Sequence, residues 1–162
     1  MSPVWFSAPV DPCNSGSEAD RHAHWAGGPV ILVSACLAGI ACRYDGASRP
    51  VQGLITSLQG SWIVPVCPEQ LGGLPTPRPA AEIRNGDGFD VIEGEAAVMT
   101  EAGMDVTEHF LRGAEQASLI ARKLGGIRCI LKSGSPSCGL TPAPGVTAAR
   151  LLLDGYDVEE LG

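Results

Sequence analysis

Three short apolar runs stand out along the chain: VILV at 30–33, WIVPV at 62–66 and IRCIL at 127–131. Their length and β-branched content suit strands, and their continuity suits strands covered on both faces. Elsewhere the apolar spacing changes to three and four residues. Val106, Phe110, Ala114, Ala117, Ala121 and Leu124 form one such stripe, which predicts a helix over 105–126. Asp105 and Glu108 fit a capping box at its start, and Gly125 or Gly126 fits its end. A weaker helix is expected over 50–60 and a third over 145–155, with YDVEEL as a last short strand. GFDVIEGEAAVMTEAG (88–103) reads as an extended or hairpin insertion. Strand, loop and helix recur three times, which predicts an α/β fold: a single domain with a mainly parallel open sheet flanked by helices. Residues 1–28, rich in Pro, Ser, Gly and Asp without periodicity, are expected to be a mobile tail before a body spanning 29–162.

Composition narrows the partners. The chain has 162 residues, 44% of them hydrophobic and 18% charged, which suits a globular domain with a real core. Lys and Arg number 11 against 18 Asp and Glu, a formal charge of −7. A large nucleic-acid interface is not expected from that balance, because displacing counterions from phosphates needs a cationic surplus. Small molecules are favoured instead, and nothing in the sequence fixes an oligomeric state. No apolar run approaches the roughly 18–20 residues of a membrane span. The first residues lack a basic stretch followed by a continuous apolar one, so a secretory signal is not expected and the cytoplasm is. There six cysteines are better read as ligands, reactive thiols or core than as disulfides.

The cysteines change the picture most. Cys36 follows the first strand run, Cys67 the second, and Cys138 the third through the segment KSGSPSC. In an open α/β sheet the loops past the carboxyl ends of the strands share one edge, where ligands bind. Three cysteines distant in sequence are therefore expected to meet in space, on the cysteine-bearing loops of that edge. Three thiolates suit either zinc with an open fourth position or an iron–sulfur cluster short of one protein ligand. Spacing alone leaves both open. Cys42 is near enough to Cys36 to line the same site, although core packing fits it equally well. Cys129 alternates within a strand and reads as core, and Cys13 lies in the tail.

Glu69, two residues past Cys67, is a candidate general acid or base. Ser135 and Ser137 offer hydroxyls beside Cys138, although turn and cap chemistry is what serine ordinarily does in such a loop. Lys132, Arg43 and Arg78 are candidates for binding substrate, with Arg43 and Asp45 also placed to pair with each other. Helix N-termini after the loops are expected to lower the thiol pKa values. His22 and His24 lie in the tail, and His109 reads as structural. No phosphate-binding glycine loop, nucleophile elbow or HExxH motif is present.

VSACLAGIACRYDG, PVCPEQLGGLPTPRPAAEI, GMDVT and ILKSGSPSCG, in that order, resemble the thiouracil desulfidase (TudS-like) family over about residues 30–162. The resemblance implies a [4Fe–4S] cluster held by three cysteines, its fourth iron open to substrate sulfur. The matching thiols are Cys36, Cys67 and Cys138. It also implies an enzyme that removes sulfur without redox chemistry from a small thiolated nucleobase such as 2-thiouracil, giving uracil and hydrogen sulfide. Glu69, Ser135 and Ser137 flank the ligands and are the expected catalytic groups. The chain departs from the family pattern in the short LTPAP segment after Cys138. A zinc-dependent hydrolase, or a non-catalytic protein that binds a cluster or sulfur through the same cysteines, is the alternative.

Overall fold

The computed structural model describes residues 28–125 and 128–162. The expected tail, with Cys13, His22 and His24, lies outside the described residues, apart from Gly28 at its end.

Strands β1 (Val30–Ser34), β2 (Trp62–Val66), β5 (Arg128–Lys132) and β6 (Asp157–Leu161) form one parallel sheet in the order β2-β1-β5-β6. The expected mainly parallel open sheet is therefore the observed one. β1 lies inside the sheet and is buried along its whole length, as continuous apolar runs require. β2 differs from the sequence expectation. It is an edge strand with Trp62 and Pro65 exposed, the position where a residue without an N–H donor does least harm.

The period of two divides the core. Ile31 and Val33 on β1 and Ile130 on β5 pack with Leu54 and Leu58 on one face. Leu32, Cys129 and Leu131 pack with Ala121, Ala148 and Leu151 on the other. Cys129 is thus core. The second face is covered by α4 (Thr107–Leu124) and α5 (Val146–Leu153). The expected stripe at α4 is buried from Val106 to Ala121, with Leu124 half-buried at its end, and Gly125 closes the helix in the left-handed conformation. Among the described residues, the helix on the first face is α1 (Leu54–Ser57), a single turn where a weak helix was expected.

Two expectations fail between β2 and α4. Residues 88–103 are not a hairpin in themselves: α3 (Gly88–Glu93) comes first, and β4 (Ala97–Thr100) pairs antiparallel with β3 (Ala81–Arg84). The capping box expected from Asp105 and Glu108 is absent at the start of α4. It forms at α3, where Asp87 accepts from the backbone of Phe89 and Asp90, and Asp90 accepts from the backbone of Asp87. Asp105 instead accepts from the Thr107 N–H, while the Thr107 hydroxyl accepts from Val98 and ties α4 to β4.

Candidate active site

β1 neighbours both β2 and β5, so the chain leaves it in opposite directions across the sheet. That switch in strand order opens a crevice at the carboxyl edge. Just beyond it lies a cavity of about 590 Å³ whose walls include Cys36, Cys42, Cys67, Cys138, Glu69 and Arg78. The three cysteines expected to meet do line one cavity, and Cys42 joins them.

Local structure explains each placement. Past Ser34 the chain turns tightly, with Leu37 N donating to Ser34 O at 2.9 Å and Ile40 N to Ala35 O at 3.0 Å. Cys36 sits in that turn, not before a helix. Cys67 is the N-cap of the one-turn helix α2 (Pro68–Leu71), with Pro68 in the first helical position and Glu69 in its first turn. Cys138 sits in a turn well before α5. The Ser135 hydroxyl accepts from the N–H groups of Ser137 and Cys138, both at 3.2 Å. Gly145 lets this turn approach closely, since a Cβ there would lie 2.6 Å from the carbonyl oxygens of Pro136 and Ser137. Helix N-termini therefore serve only Cys67, because the other two loops end in turns.

The thiols are electrostatically unlike one another. A hydrogen bond from Cys42 holds the Cys67 thiol down to about 6, overriding the opposing effect of burial. A bond from the same partner brings Cys36 down to about 7. Cys42, as donor to both, is pushed far above the ordinary thiol range. Burial pushes Cys138 up to about 12, against a hydrogen bond from Ser34. Ser34 lines the cavity and was not singled out by sequence. Buried at the end of β1, its hydroxyl also accepts from Lys132 N at 3.0 Å, which joins the ends of β1 and β5. Its position two residues before Cys36 was the available signal.

The expected polar residues meet different fates. Glu69 lines the cavity, and its Oε2 accepts from Arg78 Nε at 2.6 Å. Arg43 pairs with Asp45 through two contacts of 3.1–3.2 Å and lies 5.5 Å from the Tyr44 ring centre. The side-chain ammonium of Lys132 donates to Ser133 O at 2.6 Å and Gly162 O at 3.0 Å, beside the cavity. Arg78 lines the cavity too, yet it is almost fully buried, and protein acceptors surround its guanidinium. Ser137 is likewise held within the protein. It is buried, its hydroxyl shares a 2.8 Å hydrogen bond with Thr147, and it does not line the cavity. His109 is structural as expected, its Nδ1 lying 2.8 Å from the carbonyl oxygen of Gly72 at the end of α2. Tyr44 and Arg49 also line the cavity and were not singled out by sequence.

Among the described residues no three His, Cys, Asp or Glu side chains gather as ligands of a single ion. Four thiols, those of Cys36, Cys42, Cys67 and Cys138, line the cavity, Cys36 packing with one core cluster and Cys138 with the other. That donor set fits an iron–sulfur cluster. No helix among the described residues is long and apolar enough to cross a membrane.

Comparison with known proteins agrees with this geometry. Residues 31–158 match the family model of the 2-thiouracil desulfurases. An uncharacterized protein of Bacillus subtilis (strain 168), YbbK, is 40% identical over 141 residues, covering 80% of this chain and 93% of that protein. The solved structure of a [4Fe-4S]-dependent thiouracil desulfidase, TudS, superposes with a TM-score of 0.69 at 39% identity, covering 82% of this chain and 90% of that one.

Proposed function

This chain belongs to the 2-thiouracil desulfurase family, and from that premise we propose that it removes sulfur from a thiolated nucleobase such as 2-thiouracil. The site is a [4Fe–4S] cluster held by Cys36, Cys67 and Cys138. The observation that carries this reading is the arrival of those three thiols and Glu69 at one cavity from three adjacent parallel strands. The net change is redox-neutral: water adds its oxygen to the carbon, the C–S bond breaks, and uracil and hydrogen sulfide leave.

When bound, the cluster supplies an open thiophilic iron that prefers a thiocarbonyl sulfur to a carbonyl oxygen and polarises the C–S bond. The protein's groups do the rest. Glu69 takes a proton from the attacking water as general base. Its Oε2 is engaged by Arg78, while Oε1 accepts no hydrogen bond from the described residues, so Oε1 is the oxygen for that proton. Ser135, on the cavity wall, presents a hydroxyl to the base. Lys132, a cation held by carbonyl oxygens, and Arg43 face the substrate and favour anionic character as sulfur departs. A free nucleobase in the cytoplasm, acted on by a domain of residues 29–162, completes the reading.

The test is anaerobic reconstitution followed by iron, zinc and sulfide analysis and an assay on 2-thiouracil. About four irons per chain with sulfide release supports the reading. Stoichiometric zinc, or a full cluster that releases sulfide from no thiolated base, overturns it.

A further inference from the structure

Arg78 joins three segments of the site. Its Nε donates to Glu69 Oε2 on α2 at 2.6 Å. Nη1 and Nη2 both donate to the carbonyl oxygen of Cys42 at 3.1 Å. Nη1 also lies 3.1 Å from Pro75 O and from Thr76 Oγ1, and its backbone N–H donates to Tyr44 O at 2.8 Å. The Cys67 thiol shares the Cys42 carbonyl at 3.6 Å. The side chain is 4% exposed. Of the five N–H groups of a guanidinium, protein acceptors take all but one on Nη2. A single N–H is left for any further partner.

We propose that Arg78 is a positioning residue that sets Glu69 against the cysteine loop, and not a contact for substrate; its effect on turnover rests on the desulfidase reading above. Two consequences follow from the geometry. With Oε2 held by a planar, permanently charged group, the Glu69 carboxylate has one orientation, and a single oxygen is left for the reaction. By drawing on the Cys42 carbonyl, the same guanidinium keeps that dipole fixed beside the Cys67 sulfur. Potentials and spectra of iron–sulfur clusters respond to dipoles of this kind around their ligands. A lysine at this position keeps the charge but cannot reach Glu69, Cys42 and Pro75 together.

The variants are Arg78→Lys and Arg78→Ala in the reconstituted full chain, with iron content, the EPR spectrum of the reduced cluster, and kcat and KM for sulfide release from 2-thiouracil. In Arg78→Lys the iron content is expected to hold, KM to change less than about twofold, and kcat to fall roughly 10- to 100-fold, the scale of a small misplacement of a reacting group. Methylguanidinium is expected to restore part of the kcat lost in Arg78→Ala. A raised KM with unchanged kcat makes Arg78 a substrate contact and overturns the proposal. So does iron loss in both variants, which makes it mere support for the fold, and so does no change in either constant. Wild-type protein with a full cluster and no turnover defeats the desulfidase reading separately. Arg78 is then judged on the cluster alone, where shifted g values in Arg78→Lys support the positioning role and unshifted ones overturn it.

Discussion

A Cβ on Gly113 would stand 2.0 Å from the carbonyl oxygen of Pro68. The long helix α4 and the single turn α2 touch backbone to backbone there, and α2 is the element that carries Glu69 and follows Cys67. The contact repeats one turn earlier, where a Cβ on Gly72 would lie 1.9 Å from the carbonyl oxygen of His109. The opposing atoms are backbone, so a methyl group cannot be accommodated by turning a side chain. Gly113→Ala is expected to destabilise the fold by about 1–3 kcal/mol, despite the better helix propensity of alanine. It is also expected to lower cluster occupancy, because α2 must move outward. Thermal unfolding of the metal-free protein and iron content after reconstitution check the two effects separately. A Gly113→Ala protein with unchanged unfolding temperature would show that α2 yields freely.

Replacing the thiols sorts ligands from neighbours. Cys36→Ser, Cys67→Ser and Cys138→Ser are each expected to lose most of the bound iron, since a hydroxyl is a poor substitute for a soft thiolate. Cys129→Ala, in the core on β5, is expected to cost stability while leaving iron content as it was. Glu69→Gln separates binding from chemistry: the cluster remains and sulfide release falls by about 10²- to 10⁴-fold, the range for a lost general base. Iron analysis and the 2-thiouracil assay on the same preparations decide each case.

The metal-free protein has a pH signature. The thiolate is the reactive form, so alkylation of each cysteine climbs as pH rises through its own pKa. With Cys67 brought to about 6 and Cys36 to about 7 by the Cys42 hydrogen bond, Cys67 is expected to be modified first and Cys36 next as pH rises from 5 to 8. Cys129 and Cys138, pushed up to about 12 by burial, stay protonated and unmodified in that window. Cys42→Val removes the donor, and both reactive thiols are expected to return toward the ordinary value. Iodoacetamide labelling with peptide mass analysis measures all of these. At Cys36 and Cys67 the sign suits the proposed ligand role, because ligands of iron must be deprotonated at neutral pH; at Cys138 burial works in the opposite direction.

Much of this was legible in the chain because it depended on period and position. The β-branched runs at β1 and β5 and the stripe on α4 express local pattern, and a parallel sheet puts its post-strand loops on one edge whatever their sequence. That is why Cys36, Cys67 and Cys138 could be grouped before any geometry was known. The AEIR segment of β3 was illegible: it is short, half exposed, and finds its partner β4 only across α3. The capping box at Asp87 was missed because its second member is Asp90, an aspartate, where the familiar signature has a glutamate. Arg78 read from sequence as a cation for binding substrate. Its burial rests on acceptors from Cys42, Glu69 and Pro75, which no local pattern brings together.

The serines of SPSC divide on the same grounds, and the division can be measured. Ser137 and Thr147 hydrogen-bond each other in a dry contact between the cysteine turn and the first turn of α5. The backbone supports the same junction, with Thr147 N and Ala148 N both donating to Ser137 O. Ser137→Ala leaves the Thr147 hydroxyl buried with its partner gone, which is expected to cost about 1–3 kcal/mol. Pairing it with Thr147→Val removes both polar groups, so the double variant is expected to recover much of that loss instead of adding to it. Ser135 has its oxygen on the cavity wall and two loop N–H groups to hold. Ser135→Ala is therefore expected to lower iron retention and kcat together, where Ser137→Ala acts through stability. Unfolding free energies for the Ser137–Thr147 cycle, set beside kcat for each single variant at a temperature where all are folded, distinguish the two roles. A Ser137→Ala protein that keeps its stability and loses its turnover would move Ser137 into the chemistry.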